Sequence, residues 1–188
     1  MSSFTQVVIL CEDRQQEVFA RHFLESCGID RRRLRVNVCP KGRMSGEQFV
    51  RDNYASEVRA HRSRASHLNV GLVVMTDADV KSAGEKHREL DGALVAAGEL
   101  VRKTDERIAV FLPKRNIETW IYFLMGEDVN ETDVYSKLKT EGGCKRLVAD
   151  LAAKPQYRLT DGVLSSLRGA CFELRRILPS KQCVEVQG

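Results

Sequence analysis

Residues 70–79 read VGLVVMTDAD. A run this short, dominated by Val and Leu and closed by Thr and Asp, is a buried strand rather than a helix segment. Working outward from it gives the fold. Upstream, TQVVILC (5–11) is a second run of the same kind. In DRQQEVFARHFLESCG (13–28), Phe19, Phe23 and Cys27 recur at i, i+4, i+8, and Gly28 closes a helix. RLRVNVC (33–39) alternates with period two, as a strand with one wet face does, before Pro40 and Gly42 break the chain. Ser45 with Gln48 forms a capping-box pattern that opens a long polar helix to about Ala65. Downstream, Ser82 with Glu85 repeats that pattern and predicts a helix to about Arg102. RIAVFLP (107–113) is a further strand ended by Pro113. Strands alternating with helices imply an α/β fold with a mainly parallel sheet covered by helices.

Beyond Pro113 the strand signals stop. Ile117, Trp120, Ile121 and Leu124 fall at i, i+3, i+4, i+7, which predicts an amphipathic helix with Trp120 in the core. TDVYSKLKTEGG (132–143) and CKRLVADLAAK (144–154) read as short helices. Leu164, Leu167, Cys171, Leu174 and Leu178 trace one stripe of a last helix. The tail CVEVQG (183–188) reads as a short strand or a frayed end. The expected division is an α/β core over 1–126 and a helical C-terminal extension over 127–188 packed on it.

With 188 residues, 43% hydrophobic and 30% charged, the chain has material for one core. No run approaches the roughly 20 apolar residues of a membrane span, and the start reaches an acid too early for a signal peptide. A cytoplasmic protein with no membrane partner is expected. Six scattered cysteines without a C-x-x-C pair read as reduced, partly buried thiols rather than zinc ligands. The four histidines read as surface residues. The net charge of +4 is unevenly spread: between Arg31 and Arg64 ten basic residues face three acidic ones, a net of +7. Such a block favours a polyanionic partner and makes Arg31, Arg32, Arg33, Lys41, Arg43, Arg59, Arg62 and Arg64 candidate nucleic-acid contacts; a solvated Arg-rich helix face has the same composition.

In an open parallel sheet, ligands bind beyond the carboxyl ends of the strands. Here those ends carry Glu12, Asp77 with Asp79, and Lys114 with Glu118 close behind. Three carboxylates in one small volume raise each other's pKa, and a hard divalent cation, Mg²⁺ or Mn²⁺, resolves the conflict. Such an ion most often serves phosphate chemistry. Glu12, Asp77 and Asp79 are the candidate ligands, Glu118 completes a second metal position, and Lys114 would neutralise charge on the phosphate. Each also has a local explanation: Asp at a strand-to-helix turn caps, Glu12 can dress a helix start, and Glu118 can pair with Lys114 or Arg115.

VVILCED with Glu12, LVVMTDAD with Asp77 and Asp79, and FLPKRNIETWIYFL with Glu118 together resemble the TOPRIM domain, over about residues 5–125. The last segment is similar to OLD-like and related stand-alone TOPRIM proteins. The resemblance implies a Rossmann-like core with helices on both faces. It also implies Mg²⁺ bound through the glutamate and both aspartates, with cleavage, joining or synthesis of nucleic-acid strands; the strand-end reading makes Glu12, Asp77, Asp79 and Lys114 the candidate catalytic residues. The activity implied is nucleic-acid cleavage, DNA ahead of RNA, in anti-phage defence. Lys154 is a further basic candidate by the same likeness. No Walker A pattern occurs, so an ATPase would be a separate chain. This sequence departs from the family where Asp13 and Ser82 stand at positions often held by Gly, and in the long interval from Glu12 to Asp77. Two other readings fit parts of the pattern: a non-catalytic binding subunit, and a receiver-like signalling domain using Asp77 and Lys114.

Overall fold

The computed structural model describes residues 4–153 and 162–178. Lys154 and the 183–188 tail lie outside these residues. Four strands form one all-parallel sheet in the order β2-β1-β3-β4: β1 (Gln6–Cys11), β2 (Leu34–Val38), β3 (Val70–Met75) and β4 (Ile108–Phe111). Helices cover both faces, so the α/β, Rossmann-like reading holds. α2 (Gly46–Ala65) and α3 (Ala83–Ala96) lie on one face. α1 (Arg14–Ser26), α4 (Ile117–Leu124), α5 (Lys145–Ala153) and α6 (Ser165–Ile177) lie on the other.

Side-chain alternation along the strands divides the core in two. Val7, Ile9 and Cys11 of β1, with Val73, Met75 and Phe111, pack against Phe19, Phe23, Trp120, Val148, Leu167 and Leu174. Val8 and Leu10, with Leu72, Val74 and Val110, pack against Val50, Tyr54, Val58, Leu90 and Leu94. The C-terminal helices α5 and α6 thus share the first of these cores with the sheet. Trp120 is fully buried, stacks at a tilt on Phe19 with centroids 5.6 Å apart, and donates from Nε1 to Ser166 Oγ at 2.7 Å. Truncating such a residue costs about 3–5 kcal/mol.

Three expectations need correction. α3 stops at Ala96 rather than near Arg102, because Gly98 turns into the left-handed region (φ +75°) and Glu99 N–H bonds back to Leu94 O. Residues 132–140 form no helix. The Asn130 side chain accepts from the N–H groups of Thr132 and Asp133 at 2.8 Å each, which replaces helical bonding with a local turn. Only Glu141–Cys144 curls into a 3₁₀ turn. His61 is buried, not a surface residue, and both its ring nitrogens lack a partner.

The edge strand β4 is shielded. Glu173 of α6 accepts from Val110 N–H at 2.9 Å and is itself held by Arg102. A charged side chain on an edge amide blocks the pairing that an open edge invites.

Candidate functional site

The strand order reverses between β1 and β3. From β1 the chain crosses to β2 on one side, then returns through α2 to β3 on the other. The crevice beyond such a switch point is where open α/β sheets bind ligands. Register decides what stands there. Cys11 pairs with Met75, so Glu12 leaves the sheet beside Thr76. Glu12 Oε1 accepts from the Thr76 hydroxyl and from Asp77 N–H, the latter at 2.9 Å.

The local capping explanations go to other residues. Asp13, not Glu12, caps α1, its Oδ1 accepting from Gln16 N–H at 2.9 Å. Ser82, with Glu85 in a full capping box, caps α3, so neither Asp77 nor Asp79 does. With the caps assigned, Glu12 and Asp77 are joined instead by Gln16. Its amide donates to Asp77 Oδ1 at 2.8 Å, and its carbonyl accepts from Glu12 N–H at 3.0 Å.

The electrostatics are unfavourable. Burial first, then the charges of Glu12 and Asp13, push the Asp77 carboxyl well above the usual aspartate range. Burial also pushes Glu12 up, opposed by its bonds to Thr76 and Asp77 N–H and by Lys86. Glu118 is 2% exposed, its Oε1 has no hydrogen-bond partner, and burial followed by Asp13 raises it too. Asp79 is exposed, but its charge reaches Glu12. The backbone here is also strained. Asp79 (φ 50°) and Arg115 (φ 68°) are the non-glycine residues with positive φ among those described, and they bridge each other, Arg115 N–H donating to Asp79 O at 3.2 Å. Such outliers concentrate at functional sites.

Two neighbours of the cluster gave no signal in the sequence. Gly46, the first residue of α2, lies against Glu12: a Cβ there would stand 2.5 Å from Glu12 Cβ and 3.0 Å from Glu12 O. Lys86, 2% exposed, donates to Glu47 Oε1 at 2.6 Å and lends Glu12 a positive field. Its position one turn into α3 reads as an ordinary helix lysine. Only the packing of α2 on α3 buries it.

Lys114 does not face the acids. Its ammonium donates to Val80 O at 3.0 Å and to Lys81 O, fastening the loop after Asp79. The basic block is split by the sheet. Lys41 and Arg43 are exposed between β2 and α2, at the carboxyl ends of the strands. Arg31, Arg32 and Arg33 precede β2, and Arg33 donates to Thr5 O at 3.5 Å, at the opposite ends. Arg64 bonds Gln6 Oε1 at 2.8 Å at that same end. Arg59 and Arg62 tie α2 to the α3–β4 connection. Arg59 bonds Glu99 at 2.7 Å, and Arg62 bonds Glu106 at 2.6 Å, Glu99 at 3.1 Å and the carbonyls of Leu100 and Val101. Glu57 likewise takes Arg35 in a two-pronged pair at 2.6 and 2.7 Å.

Carboxylates of raised pKa and an orphaned, buried glutamate oxygen are the donor chemistry of a hard divalent cation, and in kind they fit one. The ligands are not preassembled: among the described residues no three His, Cys, Asp or Glu side chains are gathered to hold a metal ion. Nor is any helix among them long and apolar enough to cross a membrane. No family model, no curated protein and no solved structure matches this chain.

Proposed function

We propose that the chain is a Mg²⁺- or Mn²⁺-dependent nuclease that hydrolyses nucleic-acid phosphodiesters at the β1–β3 switch point. The observation that carries this reading is the contact of Glu12 with Asp77 there. Two acids from distant parts of the chain are joined through one N–H group and one glutamine, both destabilised in their charged forms. Structure alone gives little reason to keep such a pair, since apolar replacements of buried charges are often neutral or stabilising. Glu12 and Asp77 would hold the cation, with Asp79 and Glu118 as further oxygen donors. A bound divalent ion supplies Lewis-acid polarisation of the phosphoryl group and offsets the cluster's charge. Glu12 would serve either as a ligand of the ion or as the general base toward an attacking water. Gln16 bonds both Glu12 and Asp77, and Lys86 lends Glu12 positive charge. Lys41 and Arg43 stand at the correct end of the sheet to contact the nucleic-acid backbone, a sequence-independent task. The TOPRIM resemblance adds the expectation of a separate ATPase partner and a role in anti-phage defence.

The test is cleavage of supercoiled plasmid and of single-stranded DNA and RNA, with Mg²⁺, Mn²⁺ or EDTA. Wild type should cut only with the cation, and Asp77→Ala should fall to background. Cleavage that persists equally in EDTA and in Asp77→Ala refutes the reading. The lack of a preassembled ligand set favours a second reading, a non-catalytic nucleic-acid-binding subunit. That reading expects no thermal stabilisation by millimolar Mn²⁺.

A further inference from the structure

Residues 127–144 form a strap between α4 and α5, and it is pinned on both sides of Lys137. On one side Asn116 Nδ2 donates to Tyr135 O at 2.8 Å, and the Tyr135 ring packs on Tyr122 with centroids 5.7 Å apart. On the other, Gln15 Nε2 donates to Glu141 O at 3.2 Å, and Cys144 is fully buried. These anchors belong to the elements that carry the acids: Gln15 follows Asp13 on α1, and Asn116 precedes Glu118 on α4. The pinned strap holds the Lys137 ammonium 3.3 Å from Asp13 Oδ2. Asp13 pulls on it most strongly, and Glu118 and Asp77 pull on it as well. The Lys137 side chain is nonetheless 78% exposed, so the ammonium is free to leave.

Lys86 and Lys114 have other partners, Glu47 for the first and the Val80 and Lys81 carbonyls for the second. Glu118, whose buried Oε1 is unpartnered, feels Lys137 as its compensating positive charge. We propose that Lys137 is a tethered counter-cation of Asp13, Asp77 and Glu118, and that a divalent cation bound among the strand-end acids displaces it. The proposal rests on the cation-binding reading above. Its logic is linkage: a group that neutralises the cluster when the ion is absent weakens the ion's binding, and the ion weakens the group's hold to the same extent. An exposed ion pair contributes only about 0.2–1 kcal/mol, so the displacement is easy and the coupling modest.

The test is Mn²⁺ binding to the full chain, followed by the electron paramagnetic resonance of the free ion, for wild type, Lys137→Met and Lys114→Met. Lys137→Met should bind Mn²⁺ more tightly than wild type, by up to about fivefold, the range one exposed pair allows. Lys114→Met should match wild type. In wild type, amine labelling of Lys137, followed by mass spectrometry, should rise on adding Mn²⁺. If wild type binds Mn²⁺ and Lys137→Met binds it equally or more weakly, the proposal fails and the cation reading stands. If no variant binds Mn²⁺, both fall together.

Discussion

The two ends of the sheet handle charge in opposite ways. At the amino ends, arginines and glutamates match: Arg62 spans Glu106 and Glu99, Arg59 takes Glu99, and Arg35 takes Glu57. Those charges fasten α2 to its surroundings. At the carboxyl ends Glu12 meets Asp77, the charges of Asp13 and Glu118 reach Asp77, and the pKa values of Glu12, Asp77 and Glu118 are pushed up. Arginine–glutamate pairs fasten one end, while at the other Glu12 and Asp77 meet as like charges. Proteins violate their own consistency at functional sites, which is why the proposed site is put at the carboxyl end.

The largest expected effect tests how tightly that end is built. Gly46→Ala puts a methyl group into the Glu12 backbone, whereas a Cβ on Gly92, inside α3, meets nothing within 4 Å. Gly46→Ala should destabilise by about 2–3 kcal/mol, as overpacking against backbone does. Gly92→Ala should stabilise by about 0.5–1 kcal/mol through helix propensity. Urea melts of the two variants measure this, and equal effects would show that the α2 start does not press on Glu12.

Next in size is the division of the basic residues. If nucleic acid lies across the carboxyl ends, Lys41→Glu with Arg43→Glu should weaken binding of a labelled oligonucleotide about tenfold. It should also reduce the salt dependence by about one to two phosphate contacts. Arg31→Glu with Arg32→Glu should change both less. The reverse order, read by fluorescence anisotropy across a salt series, would move the interface to the amino ends.

The smallest effect bears on the conflict directly. Asp77 has a folded-state pKa raised above its ordinary 3.8. Its contribution to stability is therefore fully present below pH 3.8 and is lost as the pH rises through the folded-state value. Asp77→Asn retains an oxygen for Gln16 and cannot ionise. In EDTA it should be more stable than wild type by about 1 kcal/mol at pH 7, with the gap closing on acidification toward pH 4. Thermal melts from pH 4 to 8 follow it. A gap of the opposite sign at neutral pH would mean that the carboxylate is satisfied. Adding Mn²⁺ should narrow the gap by stabilising wild type alone.

Much of the fold was legible because the signals are local. The apolar runs of β1 and β3, the Ser45 and Ser82 caps and the α6 stripe each fix an element without help from distant residues. Residues 132–143 read as a short helix, but helix propensity there is weak. The side chain of Asn130 and the Asn116 bond to Tyr135 O outcompete it there. At the site, Glu12 and Asp77 stood out as acids closing buried strands. Gly46, Lys86 and Lys137 did not, since a helix-start glycine, a helix lysine and a loop lysine are ordinary until packing sets them beside Glu12 and Asp13. His61 is a different case: it continues the stripe of Val50, Tyr54 and Val58 at i, i+4, i+8, i+11, so helical spacing, not residue type, carries the signal that it turns inward.

The sequence by itself determined the order of strands and helices and put an acid just past the end of β1 and of β3, because periodicity and capping act within a few residues. Only the tertiary structure decided that these two acids touch, that the arginine block is divided between opposite ends, and that Lys86 and Lys137, rather than Lys114, bring positive charge to the acids. Those outcomes depend on strand order and register, which are set by burying both faces of the sheet at once, and no local stretch of the chain encodes that condition.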